Sequence, residues 1–333
     1  DPADVAGGGT LDQVTGGTLP YLLKLLAAGR PLSIQVHPTI EQARAGWARE
    51  SGLDADDPQR NYRDDNHKPE LLVALSDRFE SLSGLRPVPD TLFLLDALDD
   101  SGGVRQLRTR LSAEGDALRD VIAWLLGGEA DDEVDEIIGA IVTAAARGEA
   151  GEWSTTLRAI ADVAATYPGD PGVVVALLMN HVVLERGEGV FLRAGLLHAY
   201  LSGLGVEIMA ASDNVLRGGL TPKRIDVPEL LTILDTTPGE VPVLRAESAG
   251  PVTPYPVPVS DFALERVVVD GAVLTLDVSG PTMVLATAGD VTVSSASGDE
   301  LVLAVGTVAF ADTDEGTVTL SGVGEVFIAG PGR

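Results

Sequence analysis

A chain of 333 residues, 45% of them hydrophobic, can bury a sizeable core and is long enough for more than one domain. The absence of cysteine excludes disulfides, thiolate metal sites and cysteine nucleophiles, leaves His, Asp, Glu and Gln as possible ligands, and points to a cytoplasmic protein. Fifty acidic residues against 23 basic ones give a formal net charge of −27, which argues against nucleic acid or a membrane surface as partner.

No apolar run approaches the ~20 residues of a membrane span. The amino end, DPADVAGGGT, has neither the basic start nor the apolar stretch of a secretory signal, so a soluble chain is expected. From Leu19 to Pro87 the pattern reads as a helical turn or strand, then a strand LSIQVHP, a polar loop DADDPQRNYRDDNHKPE and a second apolar run, LLVAL. Within LSIQVHP, Gln35 and His37 stand two positions apart and share a face, because side chains alternate along a strand. Two inward polar groups need partners, since an unpaired buried polar group costs roughly 1–3 kcal/mol.

From Thr91 to about Gly148 long amphipathic segments take over. In DDEVDEIIGAIVTAAARG, Val134, Ile137, Ile138, Ile141 and Val142 recur at helical spacing, after acidic residues and before Arg147 and Gly148, which predicts a helix. From Gly172 onward β-branched runs return: RVVVDGAVLTLDV, TMVLATAGDVTVSS, ELVLAVGTVAFA and GTVTLSGVGEVFIAG, with turns at short spacing, fit an antiparallel sandwich or barrel. TPYPVPVS, residues 253–260, reads as an extended connection between sheets. The layout is β, then α, then mostly β.

Four histidines occur, His37, His67, His181 and His198. Taken singly, each histidine reads as a hydrogen-bonded or solvated structural residue rather than a metal ligand, and Glu70, closing NHKPE, as a solvated strand end. Taken together, Gln35, His37, Glu70 and His198 form a nitrogen and oxygen set suited to Zn²⁺ with a position open for water or substrate, although spacing alone does not make them converge. Lys24, Lys68, Arg217, Lys223 and Arg224 lie in or beside the same blocks. In so acidic a chain that clustering fits an anion such as a phosphate; the alternative is that these cations neutralise nearby acids.

LSIQVHP, NHKPE and HAYLSGLGVEIMAASDNVLRGGLTPK resemble, in order from about Leu19 to Asp235, the three signature blocks of type I mannose-6-phosphate isomerases, also called phosphomannose isomerases, which are zinc-dependent cupins. The resemblance implies a mainly β fold of cupin-type (jelly-roll) barrels with an inserted α-helical domain. Its expected division is residues 1–88 and 169–240 for the catalytic cupin domain, 89–168 for the helical insertion and 241–333 for a cupin-like β domain. It also implies one Zn²⁺ per chain on Gln35, His37, Glu70 and His198, a catalytic arginine at Arg217, and phosphate-contacting positions at Lys223 and Ser33. Lys24, Lys68, Tyr200, Glu207 and Asp213 match residues that line the family's pocket.

The implied reaction is the interconversion of mannose 6-phosphate and fructose 6-phosphate by proton transfer through an enediol. Its base is sought among Glu207, Asp213, Lys68 and a histidine; Glu207 ranks first, because it is expected on the strand following His198. The implied partner is a small sugar phosphate, and the chain is expected to be a monomer or weak oligomer. The alternatives are a different metal-dependent cupin, such as an iron oxygenase, and a sugar-phosphate-binding protein without isomerase activity. The sequence departs from the family pattern twice. An aromatic Tyr-x-Trp-Gly strand that normally precedes the first block does not occur before it here, so a barrel edge is expected to be partly unpaired. Arg193 stands where many relatives carry proline, and it is expected to snorkel to solvent.

Overall fold

The structure is a computed structural model that describes residues 10–332 except 18, 242, 246, 249, 313 and 314. The chain opens with α1 (Leu11–Val14), β1 (Tyr21–Ala28), β2 (Gln35–Val36), α2 (Ile40–Arg49), β3 (Glu70–Ala74) and β4 (Phe79–Leu85). A run of helices follows: α3 (Val88–Leu95), α4 (Gly102–Leu111), α5 (Ala117–Leu126), α6 (Asp131–Arg147), α7 (Ser154–Thr166) and α8 (Gly172–Leu177). The chain then returns to β5 (Met179–Leu184), β6 (Glu188–Leu192), β7 (His198–Ala210), β8 (Leu216–Arg217), α9 (Val227–Ile233) and β9 (Val243–Arg245). It ends with β10 (Val252–Pro254), β11 (Ala263–Asp270), β12 (Leu274–Asp277), β13 (Thr282–Ser295), β14 (Glu300–Leu303), β15 (Val308–Ala311) and β16 (Thr317–Gly330).

The first sheet runs β5-β4-β7-β3-β6-β9, with β1 and β2 also on β7, and β8 on β2. β7 turns this sheet into a barrel: its first half pairs with β4, and its second half lies between β1 and β3. Two devices bend it. A register shift opposite Glu80 and Ser81 inserts an extra residue, and Gly203 holds φ +121°, where a Cβ would lie 2.6 Å from the Phe79 ring. Alternation therefore changes phase, so His198 and Tyr200 before the bend and Glu207 and Met209 after it all line the barrel cavity. Among the described residues β1 pairs with β7 alone.

The helix predicted from DDEVDEIIGAIVTAAARG is α6, closed by Gly148 at φ +68°, whose N–H donates to the Ala144 carbonyl. Its buried stripe is Val134, Ile137, Ala140, Ile141 and Ala144, one step round from the predicted one, and Val142 is exposed. The helices pack into one core with barrel residues such as Ile34, Val36, Leu82 and Leu201. The β-branched run after Gly172 is not a strand but α8, with all six residues buried. Asp170 Oδ1 accepts from its first N–H at 2.7 Å, and burial on every side overrides β propensity.

The second sheet runs β10-β11-β16-β13-β14, with β12 on β16 and β15 on β13. TPYPVPVS does not cross between sheets, as its prolines suggest; it joins β10 to β11 within this one, and the crossing comes between β9 and β10. The two sheets meet through Leu71, Val73, Val206 and Ile208 on one side and Phe262, Leu264, Leu285 and Phe327 on the other. Strand period sends Leu71 and Val73 to that interface and leaves Glu70, Leu72 and Ala74 facing the barrel interior.

Candidate active site

Three strands bring the polar groups together. β2 is only two residues long, but it lies between β7 and β8 and pairs Gln35 with both His198 and Arg217. Glu70 begins β3, opposite Met209 of β7. His37, Glu70 and His198 thus converge, each buried, with one ligand atom from each lying within 4.8 Å of the others.

The protonation pattern follows from the outer partners. His37 Nδ1 lies 2.7 Å from the Asn214 carbonyl oxygen, and His198 Nδ1 lies 3.1 Å from the Leu196 carbonyl oxygen. A carbonyl only accepts, so both Nδ1 atoms carry a proton, and both Nε2 atoms are turned away from those carbonyls. Those Nε2 atoms point at the Glu70 carboxylate, 3.2 Å from Oε1 for His37 and 3.5 Å from Oε2 for His198. Burial pushes the His37 imidazolium down toward the neutral ring, against the pull of Glu70. Burial resists ionisation of Glu70, yet its contacts with His37 and His198 hold the carboxyl well below the usual carboxylate range.

With each Nδ1 engaged by a carbonyl, the two Nε2 atoms and the Glu70 carboxylate converge on one point where a cation could be held. His37 Nε2 is a buried atom without a hydrogen-bond partner. The carbonyl acceptors behind both imidazoles are the outer contacts that orient metal-binding histidines. Gln35 lines the same cavity. The residues present fit a divalent cation of the zinc type.

Around the cluster is a cavity of 140 Å³, lined also by Lys24, Lys68, Tyr200, Glu207 and Met209. Lys68 Nζ is 3.2 Å from Glu70 Oε1, and Lys24 Nζ is 3.8 Å from Glu207 Oε2. Glu207 lies on the same strand as His198, not on the following one, because β7 runs unbroken through its bend. Burial, with the Glu70 charge behind it, pushes the Glu207 carboxyl up to about 7. Burial and the same two carboxylates hold the Tyr200 hydroxyl well above its ordinary value, and that hydroxyl has no hydrogen-bond partner.

A second cleft of 630 Å³ is lined by Arg60, Arg63, Asp213, Arg217, Lys223 and Arg224, among others. Arg224 pairs with Asp226 at 2.7 Å, whereas among the described residues the Arg217 and Lys223 side chains meet no acid within ion-pair distance. Asp213 is exposed on this cleft rather than in the metal cavity. Ser33 is half-buried just before β2 and lines neither space. His67 and His181 take structural partners, Asp261 at 3.0 Å and Glu80 at 2.8 Å. Arg193 lies half-exposed and pairs with Asp235 at 2.6 Å. Sequence reasoning missed Met209 and Asn214; the first carries no polar signal, and the second was hidden in a loop rich in turn residues.

Comparison with known proteins agrees with this geometry. Residues 6–88 match the family described as phosphomannose isomerase type I, catalytic domain. The mannose-6-phosphate isomerase of Salmonella typhimurium is 36% identical over 317 residues, 93% of this chain and 78% of the relative. The Homo sapiens protein of that name is 32% identical, over 80% of this chain and 65% of the relative. A crystal structure described as zinc-bound, holo mannose 6-phosphate isomerase superposes with a TM-score of 0.83 at 33% identity, covering 95% of this chain and 80% of that one. With two histidines and a glutamate gathered inside the first barrel and agreement over nearly its whole length, the chain belongs to the type I mannose-6-phosphate isomerase family.

Proposed function

We propose that this chain is a zinc-dependent aldose–ketose isomerase that interconverts mannose 6-phosphate and fructose 6-phosphate. The observation that carries the reading is the convergence of the His37 and His198 Nε2 atoms on the Glu70 carboxylate, beside a cleft whose Arg217 and Lys223 meet no acid among the described residues. Gln35, His37, Glu70 and His198 would hold the metal. Bound zinc supplies Lewis-acid polarisation and a template for the sugar oxygens.

Glu207 is the base we favour for moving the proton between C1 and C2. It lines the cavity of the metal cluster, and a carboxyl pushed up to about 7 is matched to proton transfer near neutrality. The rivals are otherwise occupied: Lys68 is held by Glu70, His37 and His198 belong to the cluster, His67 and His181 pair with Asp261 and Glu80, and Asp213 lies in the outer cleft. Tyr200, kept protonated, can donate to a sugar oxygen or to Glu207. Arg217 would stabilise the negative charge that develops on the enediolate oxygen. Lys223 would hold the phosphate, with Lys24 as a further substrate contact; Ser33, which lines neither space, is not given a contact.

A monomeric or weakly associating, cytoplasmic enzyme is part of the same reading, supported by the cysteine-free composition and the phosphorylated substrate. Among the described residues no helix is long and apolar enough to cross a membrane. The test is NMR detection of mannose 6-phosphate turnover before and after EDTA treatment and again after zinc is restored. Loss and recovery are expected; full turnover by a verified metal-free preparation would sink the reading, and binding of the sugar phosphate without turnover would favour a non-catalytic protein.

A further inference from the structure

Asn214 is fully buried in the loop between β7 and β8, among polar groups that belong to another part of the chain. Its side-chain oxygen accepts from the Arg63 N–H at 2.7 Å and the Asp64 N–H at 3.3 Å. Its amide nitrogen donates to the Asp64 carbonyl at 2.9 Å, to Asp64 Oδ1 at 3.0 Å and to the Asn66 carbonyl at 2.8 Å. Asp64 answers from the other side: its Oδ2 accepts from the Asp213 N–H at 2.7 Å, and its Oδ1 accepts from the Ser212 hydroxyl at 2.8 Å. The Asn214 main-chain carbonyl is in turn the acceptor for His37 Nδ1 at 2.7 Å.

The segment held in this way, residues 63–66, leads directly into Lys68 and Glu70. The segment that holds it carries Asp213 and leads into Arg217. Arg63, Asp213 and Arg217 all line the outer cleft, while Glu70 and His37 belong to the inner cluster. One carboxamide therefore stands where three parts of the site must agree in position. It fixes the ring of His37 through its carbonyl, the approach of Glu70 through residues 63–66, and the course of the chain toward Arg217.

We propose that Asn214, with Asp64 as its partner, is the positioning residue that sets the geometry of the metal cluster and couples it to the cationic cleft. The inference rests on the zinc reading of the site. Aspartate cannot replace it, because a carboxylate has no donors for the three oxygens it serves and would face the charge of Asp64. Alanine leaves five polar contacts open and frees the carbonyl that orients His37. Outer partners of this kind change metal affinity by about 10–100-fold when lost.

The experiment is zinc competition against a chromophoric chelator, using apoprotein of the parent, Asn214→Ala, and a control, Glu325→Gln. Glu325 is a buried hub remote from the cluster, held by Arg186 at 2.8 Å and Arg266 at 2.6 Å. Both variants are expected to lose thermal stability, but only Asn214→Ala is expected to bind zinc about 10–100-fold more weakly. Its kcat/KM at saturating zinc should also fall. Unchanged zinc affinity in Asn214→Ala, with a melting loss like the control's, would overturn the proposal. If that variant does not fold, Asp64→Asn carries the test: weaker zinc binding supports the inference, and parental affinity refutes it. A parent that takes up no zinc would remove the reading of the site and this inference with it, whereas equal binding by parent and variant removes the inference alone.

Discussion

The two β-sheets of this molecule use similar strands for opposite ends. The second sheet packs an aliphatic cluster that includes Val267, Val284, Val291, Leu320 and Val326. In the first barrel Leu72, Ala74, Phe79 and Val190 form the floor, but the same faces also carry Glu70, His198 and Glu207. Converging buried histidines and carboxylates thus belong to the first barrel and are not part of the second sheet's aliphatic cluster. Burying such groups unpaired costs about 1–3 kcal/mol each, so the first barrel has given up stability for a site, and a bound cation offsets part of that cost.

The comparison breaks most severely at His198. Replacing it with alanine removes one of the converging ligand groups and leaves Glu70 and His37 facing a gap. Activity is expected to fall at least about a thousandfold, several kcal/mol of transition-state stabilisation, and zinc content to fall well below one per chain. Elemental analysis beside a turnover assay checks both. Stoichiometric zinc in the variant would refute the ligand assignment.

The reverse experiment belongs in the second sheet. Leu320→Ala truncates a fully buried side chain in the aliphatic cluster and is expected to lower unfolding free energy by about 2–5 kcal/mol. Zinc affinity and kcat should stay at parental values while the protein is folded. A change in either would mean that the second sheet shapes the first barrel's cavity, and the division of labour between the sheets would have to be redrawn.

The legibility of this division in sequence was uneven, for physical reasons. α6 could be read because helical periodicity, acidic first-turn residues and the C-terminal Gly148 all point the same way. α8 could not, because Val173, Val174 and Val175 carry strand propensity and only the surrounding packing makes them helical. The common direction of Gln35 and His37 followed from strand period. That Glu70 and His198 arrive at the same point depends on β7 bending at Gly203, a long-range pairing that no local pattern encodes. The family resemblance supplied the convergence. The same bend explains why Glu207 was expected on a separate strand. Asn214 escaped notice because its importance lies in hydrogen bonds to residues some 150 positions earlier.

A smaller effect than either of the first two is expected at Arg217. Its guanidinium lines the outer cleft without an acid partner, and burial lowers its affinity for the proton without neutralising it. Arg217→Ala should reduce kcat/KM by about a hundredfold, the range seen when one preorganised charge-stabilising donor is lost, while zinc content remains at the parental level. Loss of zinc together with activity would place Arg217 in the support of the cluster rather than in the cleft.

The smallest effect tests how the two sheets are held together. The Tyr255 hydroxyl, from the second sheet's β10–β11 connection, donates to the Gly187 carbonyl of the first at 2.8 Å. Burial pushes its pKa up to about 12 from an ordinary value near 10. Above about pH 10 the unfolded chain releases this proton and the folded chain keeps it, so the folded state binds more protons and stability falls as pH rises. That loss continues until the folded pKa is passed. Tyr255→Phe removes both the hydrogen bond, about 1 kcal/mol at neutral pH, and this alkaline loss. Tyr21 and Tyr62 are also raised by burial, but they contribute equally to parent and variant, so the difference between the two isolates Tyr255. Urea midpoints measured between pH 8 and about 11 should therefore converge as pH rises, because the parent loses its advantage. Midpoints that stay parallel would show that the hydroxyl titrates as freely in the folded protein as in the unfolded chain, and that the contact between the sheets does not depend on its proton.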